Sequence, residues 1–415
     1  MTIRHVDVAI IGGGPGGLAV AQGLKKHGID VAVFERDRAR TDYVQGFRLR
    51  LRQRGLDALK ANLPDHLFQI FLDTLGRAPT ENLALDETFS PIEHAGWGSG
   101  EAEDTHVEKS VSRITLRQIL LSGLDDIVQV GVAFERYEEQ ADGTVIAYFA
   151  DGSAVHANLL VGADGAGSLV RRQLLPELKS VDTGVRRLAG KMTLDAAAQH
   201  GISPLLLDFN TSIRPREGHG LMVTSHRVDP QAHDNHGLFG RDDVTHRGLD
   251  GLHFNNTTSY VWWNTAYELD ELGPDNLLES LDGAGLLEVL LSRIGHWDDR
   301  ILNLIRHSDP STVALLKVRS STPGAVWETG PVTLLGDSIH AMTYFRALGG
   351  NTALYDSGLL VPQLVAVRDG KPLRQAVQDY ENAMREHGYE AVRSSLNAMQ
   401  RNVAAGRLPK PVAAE

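Results

Sequence analysis

The chain has 415 residues, of which 42% are hydrophobic and 42 are glycine, enough for a substantial core and for two or three domains of ordinary size. Its 53 acidic against 41 basic residues leave a formal charge of -12, which disfavours nucleic-acid backbones and anionic membrane surfaces as partners. It contains no cysteine, so disulfide frameworks, thiolate metal sites, catalytic thiols and dithiol relays are all excluded.

Residues 1–7 lack the charged-then-apolar layout of a signal peptide, and no apolar run reaches the roughly 18 residues of a membrane span. A cytoplasmic protein without a span is expected. Residues 6–11 read as a strand buried on both faces. The strand runs into Gly12-Gly13-Gly14-Pro15-Gly16-Gly17, a G-x-G-x-x-G turn, and then into a helix over residues 18–24. In such a turn Gly12, Gly14 and Gly17 permit the tight bend and close backbone approach. The helix behind Pro15 then offers its positive end to a pyrophosphate. A second strand over residues 30–34 leads to Glu35, eighteen residues after Gly17, where a carboxylate accepts hydrogen bonds from an adenosine ribose. This βαβ unit does not choose between NAD and FAD.

Arg48, Arg50, Arg52 and Arg54 alternate with Leu49, Leu51 and Gln53, and a period of two puts all four guanidinium groups on one face of a strand. Arg113 and Arg117 follow in Ser112-Arg113-Ile114-Thr115-Leu116-Arg117. A second buried run covers residues 159–164 and a third residues 332–337, so one parallel sheet must gather strands from the beginning, middle and end of the chain. Residues 181–315 are left to form something else. They carry alternating patterns such as Tyr260-Val261-Trp262-Trp263-Asn264-Thr265 and a loop rich in Gly, Asp, Asn and His over residues 233–256, which reads as an antiparallel sheet with long connections. Trp262 shares a face with Tyr260 and Trp263 with Val261, and Trp262 is the candidate pocket residue. His219, His226, His233, His236, His246 and His253 cluster in sequence, but no carboxylate–histidine pattern on a helix supports them, and no metal site is expected. Residues 372–403 place Ala376, Tyr380, Ala383, Tyr389, Val392 and Leu396 at helical spacing, predicting a C-terminal helix packed on the first domain.

With the first glycine turn, two further segments carry a resemblance. They are Leu160-Val161-Gly162-Ala163-Asp164-Gly165-Ala166-Gly167-Ser168-Leu169-Val170-Arg171, and Gly336-Asp337-Ser338-Ile339-His340 followed by Gly349-Gly350-Asn351-Thr352-Ala353 and Asp356. In this order and spacing they resemble the three fingerprints of the group A flavoprotein monooxygenases, the para-hydroxybenzoate hydroxylase-like enzymes. The implied fold is α/β: a glutathione-reductase-type, Rossmann-like FAD-binding domain over residues 1–180 and 315–400, with a helical tail to 415. A mixed or antiparallel-sheet substrate domain over residues 181–314 is inserted in it. The resemblance implies non-covalent FAD held at Gly12, Gly14, Pro15 and Gly17, with Glu35 and neighbouring Arg36 at the ribose end. It places Arg117 in the phosphate region, Arg48 as a flavin contact and Asp164 in the cofactor set. Asp337 then faces the ribityl hydroxyls, and the Gly349-Gly350-Asn351 turn faces the N1 and C2=O edge of the ring, where a helix N-terminus favours the anionic reduced flavin. Arg50 and Trp262 are left as candidate substrate contacts.

In that family NADPH or NADH, bound transiently, reduces FAD, O2 adds to give a C4a-hydroperoxide, and one oxygen passes to an electron-rich substrate. The implied activity is mono-oxygenation of an aromatic or polyketide-like small molecule by a monomer or homodimer. No catalytic base is identifiable in the sequence. The missing cysteines separate this chain from the disulfide reductases that share its first fingerprint, and adjacent Trp262 and Trp263 do not form the Trp-x-Trp-x-Ile-Pro element of flavin halogenases. Tyr344 stands where the family has proline and Ala347 where it has glycine, residues that fix an unusual backbone beside the flavin ring. These departures motivate a second reading, a flavin-retaining ligand-binding or scaffold protein without oxygenase turnover.

Overall fold

The computed structural model describes residues 3–37, 48–93, 109–228, 258–269 and 271–404. Its first sheet gathers distant strands in the order β6-β2-β1-β9-β8-β7. Strand β1 (Arg4–Ile11) lies between β2 (Val31–Glu35) and β9 (Ala154–Gly162), parallel to both, with Ile10 opposite Val33 on one side and Val161 on the other. Beyond β2 lies β6 (Val128–Val130), also parallel. On its far side β9 is shared between two partners. Its first half pairs antiparallel with β8 (Val145–Phe149), which continues to β7 (Phe134–Glu139), and its last residues pair parallel with β15 (Val332–Leu334). The runs chosen for their unbroken Val, Ile and Leu content are therefore the central parallel strands. Both faces are covered, as shown by Val8, Ala9, Ile10 and Ile11 each being at most 3% exposed.

The second sheet has the order β14-β10-β13-β12-β11-β4. Strands β10 (Ser180–Thr193), β11 (Asn210–Ile213), β12 (Leu221–His226), β13 (Tyr260–Glu268) and β14 (Ala314–Ser321) are antiparallel, and the edge strand β4 (Asn82–Leu85) pairs parallel with β11. One face of this sheet packs Leu188, Met192, Val261 and Trp263 against the helices Gly283–Ile294 and Asp299–Arg306. Trp263 is fully buried there, its indole N–H donating to Ser308 Oγ at 2.7 Å. The opposite face, carrying Tyr260, Trp262, Asn264, Arg187 and Lys191, is the one period two assigns to the other side of the strands. A mixed α/β architecture with a Rossmann-type first sheet is thus observed.

The helix Leu373–Ala404 buries Ala376, Tyr380, Tyr389 and Val392 as its spacing predicts, and the Tyr380 hydroxyl donates to the Leu334 carbonyl of β15 at 2.8 Å. One sequence expectation fails. Strand β3 (Arg48–Leu51) pairs with β5 (Lys109–Ser112) only as far as Leu51; Arg52 is the N-cap of the helix Gln53–Asn62, and Arg54 lies inside that helix. The arginine alternation masked a helical apolar pattern, Leu56, Leu59 and Leu63, and burial of those leucines outweighs the strand period. Among the described residues no helix is long and apolar enough to cross a membrane.

Candidate functional site

The three fingerprints converge because β1, β9 and β15 are neighbours ending at the same edge. At the end of β1, Gly12 has φ +107°, and a Cβ there would meet the Ala163 carbonyl oxygen at 2.3 Å, so only glycine lets the first fingerprint lie against the second. The helix Pro15–Lys26 starts immediately after, with Gly14 as N-cap, Pro15 in its first turn and no acidic residue there. Beyond Gly14 the space is open: a Cβ built on it meets nothing within 4 Å. A helix N-terminus and open space together suit a pyrophosphate.

Glu35 closes this turn from below. One carboxylate oxygen accepts from Gly13 N at 2.6 Å, the other from Asp37 N at 3.0 Å. Arg117, on the helix Arg113–Leu121, donates through Nε to the Gly13 carbonyl at 3.2 Å, so it is attached to the turn. Arg36 stands apart, with its side chain 70% exposed and paired with Asp37 at 3.4 Å.

The second and third fingerprints are tied by Ser338, whose hydroxyl donates to the Gly162 carbonyl at 2.6 Å, and by buried Arg171, which donates to the Ser338 carbonyl at 2.9 Å. Asp164 Oδ2 accepts from Leu169 N at 2.8 Å, while its Oδ1 is buried and has no hydrogen-bond partner among the described residues. Desolvation holds this carboxyl above the usual range. Asp337 reaches solvent on one side although protein crowds it on its others. That crowding raises its carboxyl, against the opposing pull of His340 and Arg113. A Cβ at Gly349, the first residue of the helix Gly349–Arg368, would sit 3.7 Å from Asp337 Oδ1, so the third fingerprint and this helix N-terminus share one wall. At Gly350 a Cβ would strike the Leu49 side chain at 2.7 Å, so glycine lets β3 close over the same wall.

Asn351 spends its side chain on the scaffold. Its amide donates to the carbonyls of Arg50 at 2.7 Å and Ala347 at 3.1 Å, and its oxygen accepts from Arg52 N at 2.7 Å. Arg52 also donates to the Arg346 carbonyl at 3.2 Å. Held this way, Ala347 keeps a left-handed backbone, φ +52°, although it lacks the freedom of glycine, and Tyr344, at φ -72°, has a proline-like torsion. The turn thus holds a left-handed residue at 347 without a glycine there.

Behind this turn lies an arrangement the sequence reading missed. Asp356, fully buried, accepts from Gly336 N at 2.8 Å and from His340 Nε2 at 2.7 Å on one oxygen, and from His387 Nε2 at 2.8 Å on the other. These three side chains form a group with ligand atoms within 4.8 Å of one another, but the donors already facing the carboxylate make it a hydrogen-bonded relay. His340 and Asp356 stand in the third fingerprint; His387 gave no signal because it occupies an ordinary helical position.

The opposite face of the second sheet lies against β3, where Arg48 Nη1 donates to the Ser225 carbonyl of β12 at 3.4 Å. Arg48 lies with its guanidinium carbon 5.6 Å from the Trp262 ring centroid, and Arg187 lies 5.7 Å from the same ring. Trp262 is half-buried, and its Nε1 has no hydrogen-bond partner among the described residues. Arg50 is exposed on β3. His226 Nδ1 is paired with Ser110 Oγ at 2.9 Å and His219 with Glu271 at 2.7 Å, whereas His233, His236, His246 and His253 lie outside the described residues.

Comparison with known proteins agrees with this geometry. The FAD binding domain family matches residues 5–72 and 307–395. A crystal structure of an FAD-containing monooxygenase from Photorhabdus luminescens subsp. laumondii superposes with a TM-score of 0.77 at 30% identity, over 96% of this chain and 99% of that one. A dual O-methyltransferase/FAD-dependent monooxygenase, CTB3, of Cercospora beticola is 31% identical over 91% of this chain, which spans 44% of that relative. The FAD-dependent monooxygenase thnD of Trichoderma harzianum is 27% identical over 94% of this chain and 92% of its own length.

Proposed function

The chain belongs to the FAD-dependent monooxygenases of the flavoprotein-hydroxylase type, and from that premise we propose that it uses NADPH or NADH and O2 to place one oxygen atom on an aromatic or polyketide-like small molecule. The observation that carries this reading is the convergence of Gly12–Gly17, Gly162–Arg171 and Gly336–His340 at the ends of three neighbouring parallel strands. Ligands of open α/β sheets bind at such strand ends.

The residues suit FAD. The open backbone at Gly14 and the helix behind Pro15 would hold the pyrophosphate, with Arg117 fixing the turn; Gly12 and Gly17 permit the close packing, and Glu35 would meet the ribose. Asp337 would accept from ribityl hydroxyls, and Gly349 and Gly350 would present helix N–H groups to the electron-rich edge of the ring. Asn351 acts through the backbone it ties down, and Asp164 offers a buried oxygen in need of a donor. When bound, FAD supplies hydride acceptance and oxygen activation; the protein's part is to orient the substrate and exclude water. Residues 1–180 and 315–400 would form the FAD portion and residues 181–314 the substrate portion, the latter sheet being completed by β4.

The test is direct. Protein purified with FAD is screened against aromatic and polyketide-like compounds for stimulated NAD(P)H oxidation, and products are weighed by mass spectrometry. Gain of one oxygen atom supports the proposal; a protein that takes up no FAD, or never oxygenates, overturns it.

A further inference from the structure

Both ring nitrogens of His387 are committed. On the helix Leu373–Ala404 its Nδ1 lies 2.8 Å from the Ala383 carbonyl oxygen, and its Nε2 lies 2.8 Å from Asp356 Oδ1. A carbonyl oxygen and a carboxylate both accept, so both nitrogens donate, an arrangement that the doubly protonated imidazolium satisfies. The His387 side chain is 12% exposed, whereas those of Asp356 and His340 are fully shut off, so His387 is the member of the trio in touch with solvent. Its ring makes a T-shaped contact with Tyr355, centroids 4.7 Å apart, and lies 6.3 Å from the His340 ring. On Tyr355 in turn sits Arg54, its guanidinium carbon 5.2 Å from the ring centroid.

Asp356 connects this histidine to the third fingerprint. Its Oδ2 accepts from Gly336 N at 2.8 Å, and Gly336, at φ +66°, is the residue that turns the chain into Asp337. The same oxygen accepts from His340 Nε2 at 2.7 Å, three residues beyond Asp337. Asp356 itself lies on the helix Gly349–Arg368, whose first residue shares a wall with Asp337. One buried carboxylate therefore ties the two sides of that wall together, and if left uncompensated it would also oppose ionisation of Asp337. Burial raises the Asp337 carboxyl, His340 and Arg113 pull it down, and Asp356 adds to the rise. Burial alone would raise Asp356 too, but His340 and then His387 hold it below 3.8. Taking away one partner of such a buried set leaves the remaining charge exposed to its neighbours.

We propose that His387 is a positioning residue for FAD: its imidazolium locks the Asp356 carboxylate onto Gly336 N–H and shields Asp337 from that carboxylate, so that Asp337 is ionised and held in place for the ribityl chain. The proposal rests on the preceding reading that Asp337 accepts from ribityl hydroxyls. His387 acts through Asp356 alone, from a helix that carries none of the three fingerprints.

Flavin retention tests it without turnover. Protein loaded with FAD is dialysed in steps from about pH 4 to about pH 8, and the ratio of flavin to protein absorbance is read at each. Loss of the charge beside Asp356 should move the acid limb of His387→Gln upward by about half a unit to one unit. His387→Lys, which keeps a cation, should hold the wild-type limb, and in an Asp337→Asn background His387→Gln should leave the profile flat. Melting curves identify any variant that fails to fold, and a measurement on wild type stands without them: in nitrogen-15 NMR both His387 nitrogens should carry protons while flavin is retained. A His387→Gln limb that coincides with wild type, a loss of flavin equal at every pH, or a shift that persists in Asp337→Asn overturns the inference. So does a His387→Lys limb displaced as far as that of His387→Gln, or a His387 with one protonated nitrogen. If Asp337→Ala keeps its flavin, the ribityl reading falls and this inference with it; if Asp337→Ala loses flavin and His387→Gln matches wild type, this inference falls and the ribityl reading stands.

Discussion

His340 and Asp356 are joined by a 2.7 Å hydrogen bond with both side chains wholly shut off from solvent. Burial alone lowers the imidazole, but Asp356 outweighs it and raises His340 above its ordinary 6.5. Burial alone raises the carboxyl, but His340 and His387 hold Asp356 below its ordinary 3.8. The raised histidine contributes stability that is complete below 6.5 and is lost as pH climbs through its folded value. The lowered aspartate contributes above 3.8 and loses its contribution as pH falls through its folded value. The pair is therefore fully effective between those limits. Asp356→Asn should cost about 3–5 kcal/mol in that window, the usual result of removing one partner of a buried ion pair. Urea midpoints of wild type and variant should converge as pH rises above 6.5 through the raised folded value of His340, where linkage removes the imidazolium. A gap that stays constant from acid to alkaline pH would show that His340 is not charged in the fold.

Gly12 and Gly14 separate folding from cofactor binding. Gly12→Ala puts a Cβ 2.3 Å from the Ala163 carbonyl at a φ of +107°, so it should destabilise the protein by roughly 1–3 kcal/mol and loosen the first two fingerprints from each other. Gly14 has φ -76° and open space around its missing Cβ, so Gly14→Ala should melt within a degree or two of the wild type, and yet lose FAD because the new methyl occupies the cradle. Differential scanning fluorimetry with and without FAD reads both. A Gly14→Ala protein that binds FAD as wild type does would remove the pyrophosphate from this turn.

The parallel core was legible because strands buried on both faces write themselves as unbroken apolar runs, and residues 6–11, 159–164 and 332–337 are such runs. The glycine at position 12 was legible because a backbone contact forbids any other residue. The arginine stripe was misread past Leu51, since a period of two in charged residues carries no burial energy, whereas Leu56, Leu59 and Leu63 do. Only Asp182, four residues back, locally distinguished Arg186 from Arg187. Their opposite surroundings come from Asp275 and Tyr344, far away in sequence, and the same holds for His387 on Asp356.

The adjacent tryptophans of β13 should behave as differently as their faces. Trp263→Ala opens a cavity beneath the helices Gly283–Ile294 and Asp299–Arg306 and strands Ser308, so a loss of about 3–5 kcal/mol in denaturant titration is expected. Trp262→Ala removes a half-buried ring that lies beside the Arg48 and Arg187 guanidinium groups. Its stability loss should stay under about 1.5 kcal/mol, below the range for a fully buried side chain. Comparable losses for the two would mean that Trp262 is as much core as Trp263.

Ala347 pays conformational strain that glycine would not. An L-residue held at φ +52° costs roughly 1–2 kcal/mol, partly returned to alanine by the greater freedom of glycine in the unfolded chain. Ala347→Gly should therefore raise stability by about 0.5–1 kcal/mol. Asn351→Ala should do the reverse, because it unpins the Arg50 and Ala347 carbonyls and Arg52 N together. Chemical denaturation of both variants checks the pair, and destabilisation by Ala347→Gly would show that the turn relaxes away from the left-handed region.

Asp337 has its carboxyl raised by desolvation, so it ionises at a higher pH than an ordinary carboxyl at 3.8. Hydroxyl donors from a ribityl chain would stabilise that ionised form, so FAD binding and deprotonation of Asp337 should support each other. Two consequences separate this role from a merely structural one. Asp337→Ala should weaken FAD binding by about tenfold or more, the usual worth of hydrogen bonds to a charged acceptor, and purified variant should show a lower ratio of flavin to protein absorbance. In wild type, flavin retention during dialysis should begin to fall at a pH above the ordinary carboxylate range, while Asp337→Asn, which cannot titrate, should hold a flat and uniformly weaker profile. Undiminished flavin content in Asp337→Ala, or a wild-type profile as flat as that of Asp337→Asn, would place the ribityl chain elsewhere.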